Sequence, residues 1–351
     1  MILRPAWKRL RLLGLALPLT AALLPSAGTA DDSAVVPHMM GSIATVAHNR
    51  SGPGPAGPSS PLLYQTANAP VQSGASLYLV FWGAQWQVGW DDVSTNSAGV
   101  YPSSKAQTYI TDFVKYVSST ATAWNATTTQ YCSGVQVNST SCPSGHPTPT
   151  NPPTYGGVWL DTNSPPPPTV LNDNCVVLVC LVPGGTLDAA NMLAAEALRA
   201  AAHFNNHTHN ANYLIMLPKA TVTLGADAVY CAYHSEVKDG IDSIAYTNMP
   251  FIIDQPVGCG ANFVNNDSTY GNGIYDGYSI VLGHEIAEAE TDPLPFTKAA
   301  WRDSSGQENG DKCAWITPGT AGGAHNIGPD ANGHVFAVQT LYSNSAGGCA
   351  G

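Results

Sequence analysis

Near its C-terminal end the chain reads Gly283-His284-Glu285-Ile286-Ala287-Glu288-Ala289-Glu290-Thr291-Asp292-Pro293. On a helix, residues four apart share a face, so His284 and Glu288 can reach one point while Glu285 lies beside it. An imidazole and a carboxylate placed this way can hold a divalent cation, and the neighbouring carboxylate can take a proton from water. The pattern is H-E-x-x-E, a variant of H-E-x-x-H, in which two histidines bind Zn²⁺ and the intervening glutamate polarises the attacking water. Glu288 in the second position is still a legitimate ligand, and a third must come from elsewhere.

Twenty positions after Glu288 stands Glu308, in Asp303-Ser304-Ser305-Gly306-Gln307-Glu308-Asn309-Gly310-Asp311-Lys312-Cys313. That spacing is similar to the distal glutamate of thermolysin-like peptidases and makes His284, Glu288 and Glu308 the expected metal ligands. Asp311 and His234 are rival third ligands. Three protein ligands leave a fourth tetrahedral position for water, whose pKa the metal lowers toward neutrality. Glu285 is then the general base, and peptide-bond hydrolysis the expected reaction. Two carboxylates weaken Lewis acidity relative to His₂Glu, so beside Zn²⁺ the site also suits Ca²⁺ or Mn²⁺.

Other readings compete. A His and a Glu four apart on an exposed helix form an ordinary solvated ion pair. The cluster His203, Asn205, Asn206, His207 and His209 resembles a metal site, but it falls at an expected helix end, where histidines favour the carbonyl pole. Adjacent carboxylates on one helix do not flank a glycosidic bond as a glycosidase requires. Trp82, Trp86, Trp90, Trp124 and Trp301 could form a sugar platform, with buried core as the default. No Gly-x-Ser-x-Gly elbow is present, so a serine hydrolase is unsupported.

The metal-binding helix is expected over residues 277–290, ended by Pro293. The continuous apolar run Ser76-Leu77-Tyr78-Leu79-Val80-Phe81-Trp82 predicts a strand covered on both faces. Tyr109, Ile110, Phe113, Val114 and Val117 stand at helical spacing within a helix over 103–124. A second, alanine-rich helix is expected over 187–204, with Asp188 as its N-cap. Further strands are expected at 213–217, 244–253 and 334–339. Residues 51–73 are rich in Pro, Gly and Ser and read as an exposed arm, with order starting near Ala75; residues 142–168 read as a surface loop enclosing 157–160. Helices between strands without a repeat predict an α/β fold: a single zincin-like domain with a mixed sheet, an active-site helix and disulfide-stapled loops.

Of 351 residues, 44% are hydrophobic and only 11% charged, with 34 Gly and 27 Pro, which excludes a disordered polar chain. The net charge is −11, yet Arg4, Lys8, Arg9 and Arg11 all precede the first acidic residue. That basic start, the apolar run 12–24 and Gly28-Thr29-Ala30 before Asp31 read as a signal peptide over 1–30. The remainder, an arm over 31–74 and a domain over 75–351, is more acidic still. Nucleic acid is an unexpected partner for such a surface, and no stretch is long and apolar enough for membrane insertion. Export to an oxidising compartment favours disulfides for the eight cysteines. Short loops and chain order suggest Cys132 with Cys142, Cys231 with Cys259 and Cys313 with Cys349; Cys175 and Cys180 pair with each other only across a bend. Asn-x-Ser/Thr occurs at Asn49, Asn125, Asn138, Asn206 and Asn266.

Leu79-Val80-Phe81-Trp82-Gly83, Ile110-Thr111-Asp112-Phe113 and Trp124 through Tyr131 resemble the opening half of the phosphate-induced protein, or EXORDIUM, family of secreted proteins. Tyr230-Cys231-Ala232-Tyr233-His234, Cys259-Gly260, the His284-to-Pro293 segment, Trp301, Glu308, Asp311, Cys313, Phe336-Ala337-Val338-Gln339 and Cys349 follow in the same order. The resemblance runs from about Leu77 to the C-terminus, departing in the N-terminal arm and in 142–168, and Asp292 stands where plant members often have Asn. It implies a secreted, extracellular protein linked to growth responses and carries over no catalytic residue. Two functions follow as expectations. One is a secreted, metal-dependent hydrolase of zinc-metallopeptidase type acting on a peptide or protein substrate. The other is a non-catalytic EXORDIUM-like protein binding an extracellular wall component, with a structural metal or none.

Overall fold

A strand that is apolar on both sides must be covered on both. Leu77, Leu79 and Phe81 enter one core with Ile110, Phe113, Ile280 and Val281, while Tyr78, Val80 and Trp82 enter another with Leu193, Ala197, Ala200 and Ala201. The computed structural model describes residues 42–44, 60–93, 100–164, 170–171, 192–223, 230–254, 258–266 and 273–351. The expected signal peptide, much of the arm, and Cys175 and Cys180 lie outside these.

Five strands from the body of the chain form a mixed sheet, and a three-residue strand extends it to six. They are β1 (Ser42–Ala44), β2 (Ser76–Trp82), β3 (Thr154–Asp161), β4 (Ala211–Met216), β5 (Tyr230–Asp239) and β6 (Asp242–Met249), in the spatial order β1-β5-β6-β4-β2-β3. Neighbours from β6 to β3 run parallel, whereas β5 is antiparallel to both β6 and β1. Helices α1 (Ser103–Val117) and α3 (Asp276–Thr291) share one face of the sheet, and α2 (Met192–Phe204) packs on the other. The resulting layers are helix, sheet, helix.

Local chemistry accounts for the elements. β5 turns into β6 through Gly240-Ile241, where Asp239 pairs with Asp242 and Gly240 has φ 61°, the positive value needed at the first central position of a II′ hairpin. α1 stops at Val117, short of the expected 124; a separate turn, Ala123–Ala126, starts where the Thr122 hydroxyl accepts from Asn125 N–H at 3.0 Å. α3 ends at Thr291, two residues ahead of Pro293.

Two further expectations change. Residues 157–160 belong to the edge strand β3, not to a surface loop; Val158 and Leu160 are 48% and 37% exposed, so one face of this strand is uncovered although its residues are apolar. Residues 60–74 are ordered, ahead of Ala75: Leu63–Tyr64 pairs with Trp301–Arg302, and Leu62, Tyr64, Ala69 and Val71 are buried with Tyr131, Trp301 and Tyr342. The strand expected at 334–339 forms over Phe336–Val338 and pairs with His325–Ile327 in a separate ribbon, outside the main sheet. The described part of α2 begins at Met192, and its expected first turn lies outside the described residues.

The three suggested disulfides form, with Cα–Cα separations of 5.8 Å for Cys132–Cys142, 5.6 Å for Cys231–Cys259 and 5.8 Å for Cys313–Cys349. Multiple disulfides suit an oxidising compartment. Among the described residues no helix is long and apolar enough to cross a membrane.

Candidate metal centre

Every residue of α3 is buried, the acids included. A helix apolar nearly all round is a core helix, and His284, Glu285, Glu288 and Glu290 are therefore carried into the interior by Ile280, Val281, Leu282, Ile286 and Ala287. Close approach at its start requires glycine: a Cβ on Gly277 would lie 2.1 Å from the Cys259 carbonyl oxygen. Asp276 anchors that first turn by accepting from the Val264 and Asn265 backbone N–H groups at 2.9 and 2.7 Å.

His284 and Glu288 meet one turn apart, Nε2 to Oε1 at 2.9 Å. On the far side of the imidazole, Nδ1 lies 3.1 Å from Gln339 Oε1, while Gln339 Nε2 donates to the Gly310 carbonyl at 2.7 Å. With the amide oriented by that donation, its oxygen must accept from His284 Nδ1–H. In the neutral ring this leaves Nε2 as a lone pair aimed at the Glu288 carboxylate. Two acceptors at 2.9 Å need a proton or a cation between them. Nε2 has no aligned hydrogen bond, nor do Glu288 Oε2 and both carboxylate oxygens of Glu308, all fully buried. These atoms belong to the three residues expected as ligands.

The remaining groups come from other elements. β5 delivers His234, whose Nδ1 lies 3.3 Å from Glu285 Oε2 and 3.5 Å from Glu288 Oε2, while Nε2 faces the Asp292 carbonyl at 3.3 Å and Glu308 Oε2 at 3.7 Å. The segment after Trp301–Arg302 delivers Glu308 and Asp311. Asp311 N–H donates to Glu288 Oε1 at 3.0 Å, and Asp311 Oδ1 lies 3.7 Å from His284 Nε2. Gly310 rests on the imidazole, where a Cβ would come within 2.7 Å of Nδ1. Arg302 Nε lies 2.7 Å from Asp292 Oδ2 and 3.2 Å from Glu308 Oε1, which leaves Glu308 Oε2 as the oxygen turned to the cluster.

Among the described residues, two buried sets have ligand atoms mutually within 4.8 Å: His234, Glu288 and Glu308, and His284, Glu285 and Glu288. Glu288 is common to both. Glu308 thus groups with His234, and the triad of His284, Glu288 and Glu308 is not itself such a set. A third group, Asp112, Asp330 and His334, is only half-buried and was not foreseen.

Electrostatics follow the geometry. Burial would lower His284, but the Glu288 carboxylate overrides it and pushes the imidazole up to about 9. Burial likewise opposes the charge on His234, and Glu308, Glu285 and Glu288 raise it well above the ordinary value. Glu288 is held below the usual carboxylate range, since the two imidazoles outweigh its burial. Burial raises Glu285 and Glu308, only partly offset by His234 in the first and by Arg302 and His234 in the second. Without a metal the cluster is a network of imidazolium and carboxylate; a divalent cation would replace the protons.

The competing clusters resolve plainly. His207 and His209 pair with Asp239 and Asp242 at 2.6 and 3.0 Å, and His203 stacks on Trp159 at 4.3 Å. Trp82, Trp86, Trp124 and Trp301 are buried, so they form no sugar platform. Sequence reasoning missed Gln339, Arg302 and the strand β5 itself, although Asp239-Gly240 between periodic segments is a hairpin signal. No family model matches this chain, and no curated protein and no solved structure matches it either.

Proposed function

We propose that the buried His/Glu cluster binds one divalent metal ion and that the protein is a secreted, metal-dependent hydrolase of zinc-metallopeptidase type on a zincin-like fold. The observation that carries this reading is the 2.9 Å approach of His284 Nε2 to Glu288 Oε1 with Gln339 holding the opposite ring nitrogen. Such a second partner orients a metal-ligating imidazole and fixes its tautomer. Glu288 is the ligand common to both sets, with His284 on one side of it and Glu308 reaching it only together with His234 on the other, and Asp311 stands next to His284. Zn²⁺ fits the imidazole, while the carboxylates also accommodate Mn²⁺ or Ca²⁺. When bound, the ion would polarise an amide carbonyl and acidify a water. Glu285 would take the water's proton and pass it to the departing nitrogen, with His234 fixing the carboxylate's second oxygen. The test is Glu285→Gln, which keeps the metal and abolishes hydrolysis of a broad peptide library. Activity surviving that change excludes Glu285 as the base.

A second reading, a non-catalytic EXORDIUM-like binding protein outside the cell, draws on a different observation. His234, His284, Glu285, Glu288 and Glu308 are all 0% exposed, and the Arg302 guanidinium already partners Glu308. On this reading the cluster holds the fold together, and metal-loaded protein hydrolyses nothing even when the centre is opened.

A further inference from the structure

Three residues from far upstream lie across the candidate centre. β1 adds to the outer edge of β5 in antiparallel sense, with Ser42 opposite Tyr233 and Ile43 opposite Ala232, and its register shifts before Ala44. It packs against α3 and the turn Asp311–Cys313 as well. Ile43 is fully buried in the main core, and its backbone N–H donates to Glu285 Oε1 at 3.3 Å. His234, one residue beyond the Ser42 partner on β5, holds the other oxygen of the same carboxylate at 3.3 Å. The peptide nitrogen of Ile43 therefore stands on the group cast as general base, where the departing nitrogen of a cleaved amide has to be.

We propose that the edge of β5 is a binding site for an extended polypeptide and that Ser42–Ala44 fills it as a tethered peptide, keeping the centre latent. A substrate would bind as an antiparallel strand. Its scissile bond would take the position of Ser42-Ile43, and the residue after that bond would bury an apolar side chain where Ile43 lies. In the hydrolysis, water supplies OH to the carbonyl carbon, the C–N bond breaks, and the proton held by Glu285 goes to nitrogen. An exposed sheet edge offers unpaired N–H and C=O groups to such a strand, and side-chain pockets then set specificity. The complete burial of the cluster agrees with an occupied site. β1 is also the weakest cover, joined through three ladder positions where β5 and β6 share seven.

The chemistry in this proposal rests on the hydrolase reading, whereas strand binding does not, and the experiment separates them. In the full-length chain, Ile43→Asp places a charge in an apolar site beside Glu285 and unseats β1. A fluorescently labelled peptide of residues 38–47 should then bind about tenfold or more tightly to I43D than to wild type, where the tethered copy competes at an effective concentration on the order of millimolar. Amides of residues 230–233 should exchange faster in I43D and slow again when the peptide is added. Equal binding to both proteins, or none to folded I43D, overturns the site. Should I43D not fold, wild type is nicked with trypsin at Arg50, the sole Lys or Arg between residues 31 and 104, to free the segment. A nicked chain that binds no added peptide overturns the site equally. If I43D binds peptide but hydrolyses none when loaded with Zn²⁺ or Mn²⁺, the hydrolase reading fails and strand binding stands; if it hydrolyses no faster than active wild type, latency fails.

Discussion

His284 is useful to a metal only while its proton stays on Nδ1, and that depends on Gln339. Gln339→Leu removes the acceptor at 3.1 Å and the tie to Gly310, so metal affinity should fall by about 10–100-fold with the fold retained. A chelator-competition titration checks it, and unchanged affinity would show that another group orients the ring. Gly310→Ala forces a Cβ to within 2.7 Å of the same imidazole and should weaken metal binding along with stability, read as a lower melting temperature. The helical part of the centre was legible because i and i+4 positions translate directly into space: His284 and Glu288 touch, and Glu285 lies beside them. The contributions of Gln339, Arg302 and the Ile43 N–H were not. Each comes from a distant segment, and only the tertiary fold decides what a glutamine on a loop or an amide in an arm will face. His234 was visible as a rival ligand, but its role as the partner of Glu285 required β5 to be placed.

At the scale of elements, α2 offers a pH test remote from the centre. Glu196 is fully buried, and burial pushes it up to about 8 from an ordinary 4.5, outweighing the Arg199 guanidinium, whose Nε lies 2.8 Å away, with Asp161 raising it further. Between those values the folded chain keeps a proton that the unfolded chain has lost. Stability from this group is therefore greatest below the unfolded value and declines as pH rises toward about 8, by at most about 1.4 kcal/mol per pH unit. Glu196→Gln removes the decline, so its melting temperature should gain on wild type steadily across that window and level off above it. A constant offset at all pH values would show that Glu196 does not carry the proton. The same scale separates what sequence periodicity can read from what it cannot. β2 announced itself because it is apolar on both faces. β3 has outward side chains that are apolar yet exposed, and β5 carries His234, Glu236 and Lys238 among its ten residues, so neither has the uniform run of a covered strand. The helix expected over 103–124 ends early because local hydrogen bonds make the break after Val117, Asn125 N–H to the Thr122 hydroxyl and the Asn125 amide to the Val117 carbonyl, and no Pro or Gly marks it.

The whole molecule is fastened where the centre is assembled. Cys231–Cys259 links β5 to the loop before α3, closing 28 residues, and Cys313–Cys349 links the turn carrying Asp311 to the C-terminal strand Gly348–Ala350. Replacing Cys231 and Cys259 by Ser should cost about 3–4 kcal/mol of unfolding free energy, measured by urea titration, and loosen His234 relative to Glu285. Loss of stability with the centre's metal affinity intact would show that the disulfide serves the fold alone. Three of the cysteine pairs were legible from loop length and order. The three-layer sandwich was legible only as an α/β class, because strand order depends on long-range pairing that no local pattern encodes. Everything proposed for the centre turns on whether a cation occupies it. The direct measurement is the metal content of the purified full-length protein by elemental mass spectrometry, paired with thermal melting before and after chelation. About one divalent ion per chain, a melting temperature that falls by several degrees on chelation, and recovery when the ion returns are the expected results. No stoichiometric metal and an unchanged melt would contradict the metal centre and leave the buried histidines and carboxylates as a structural network.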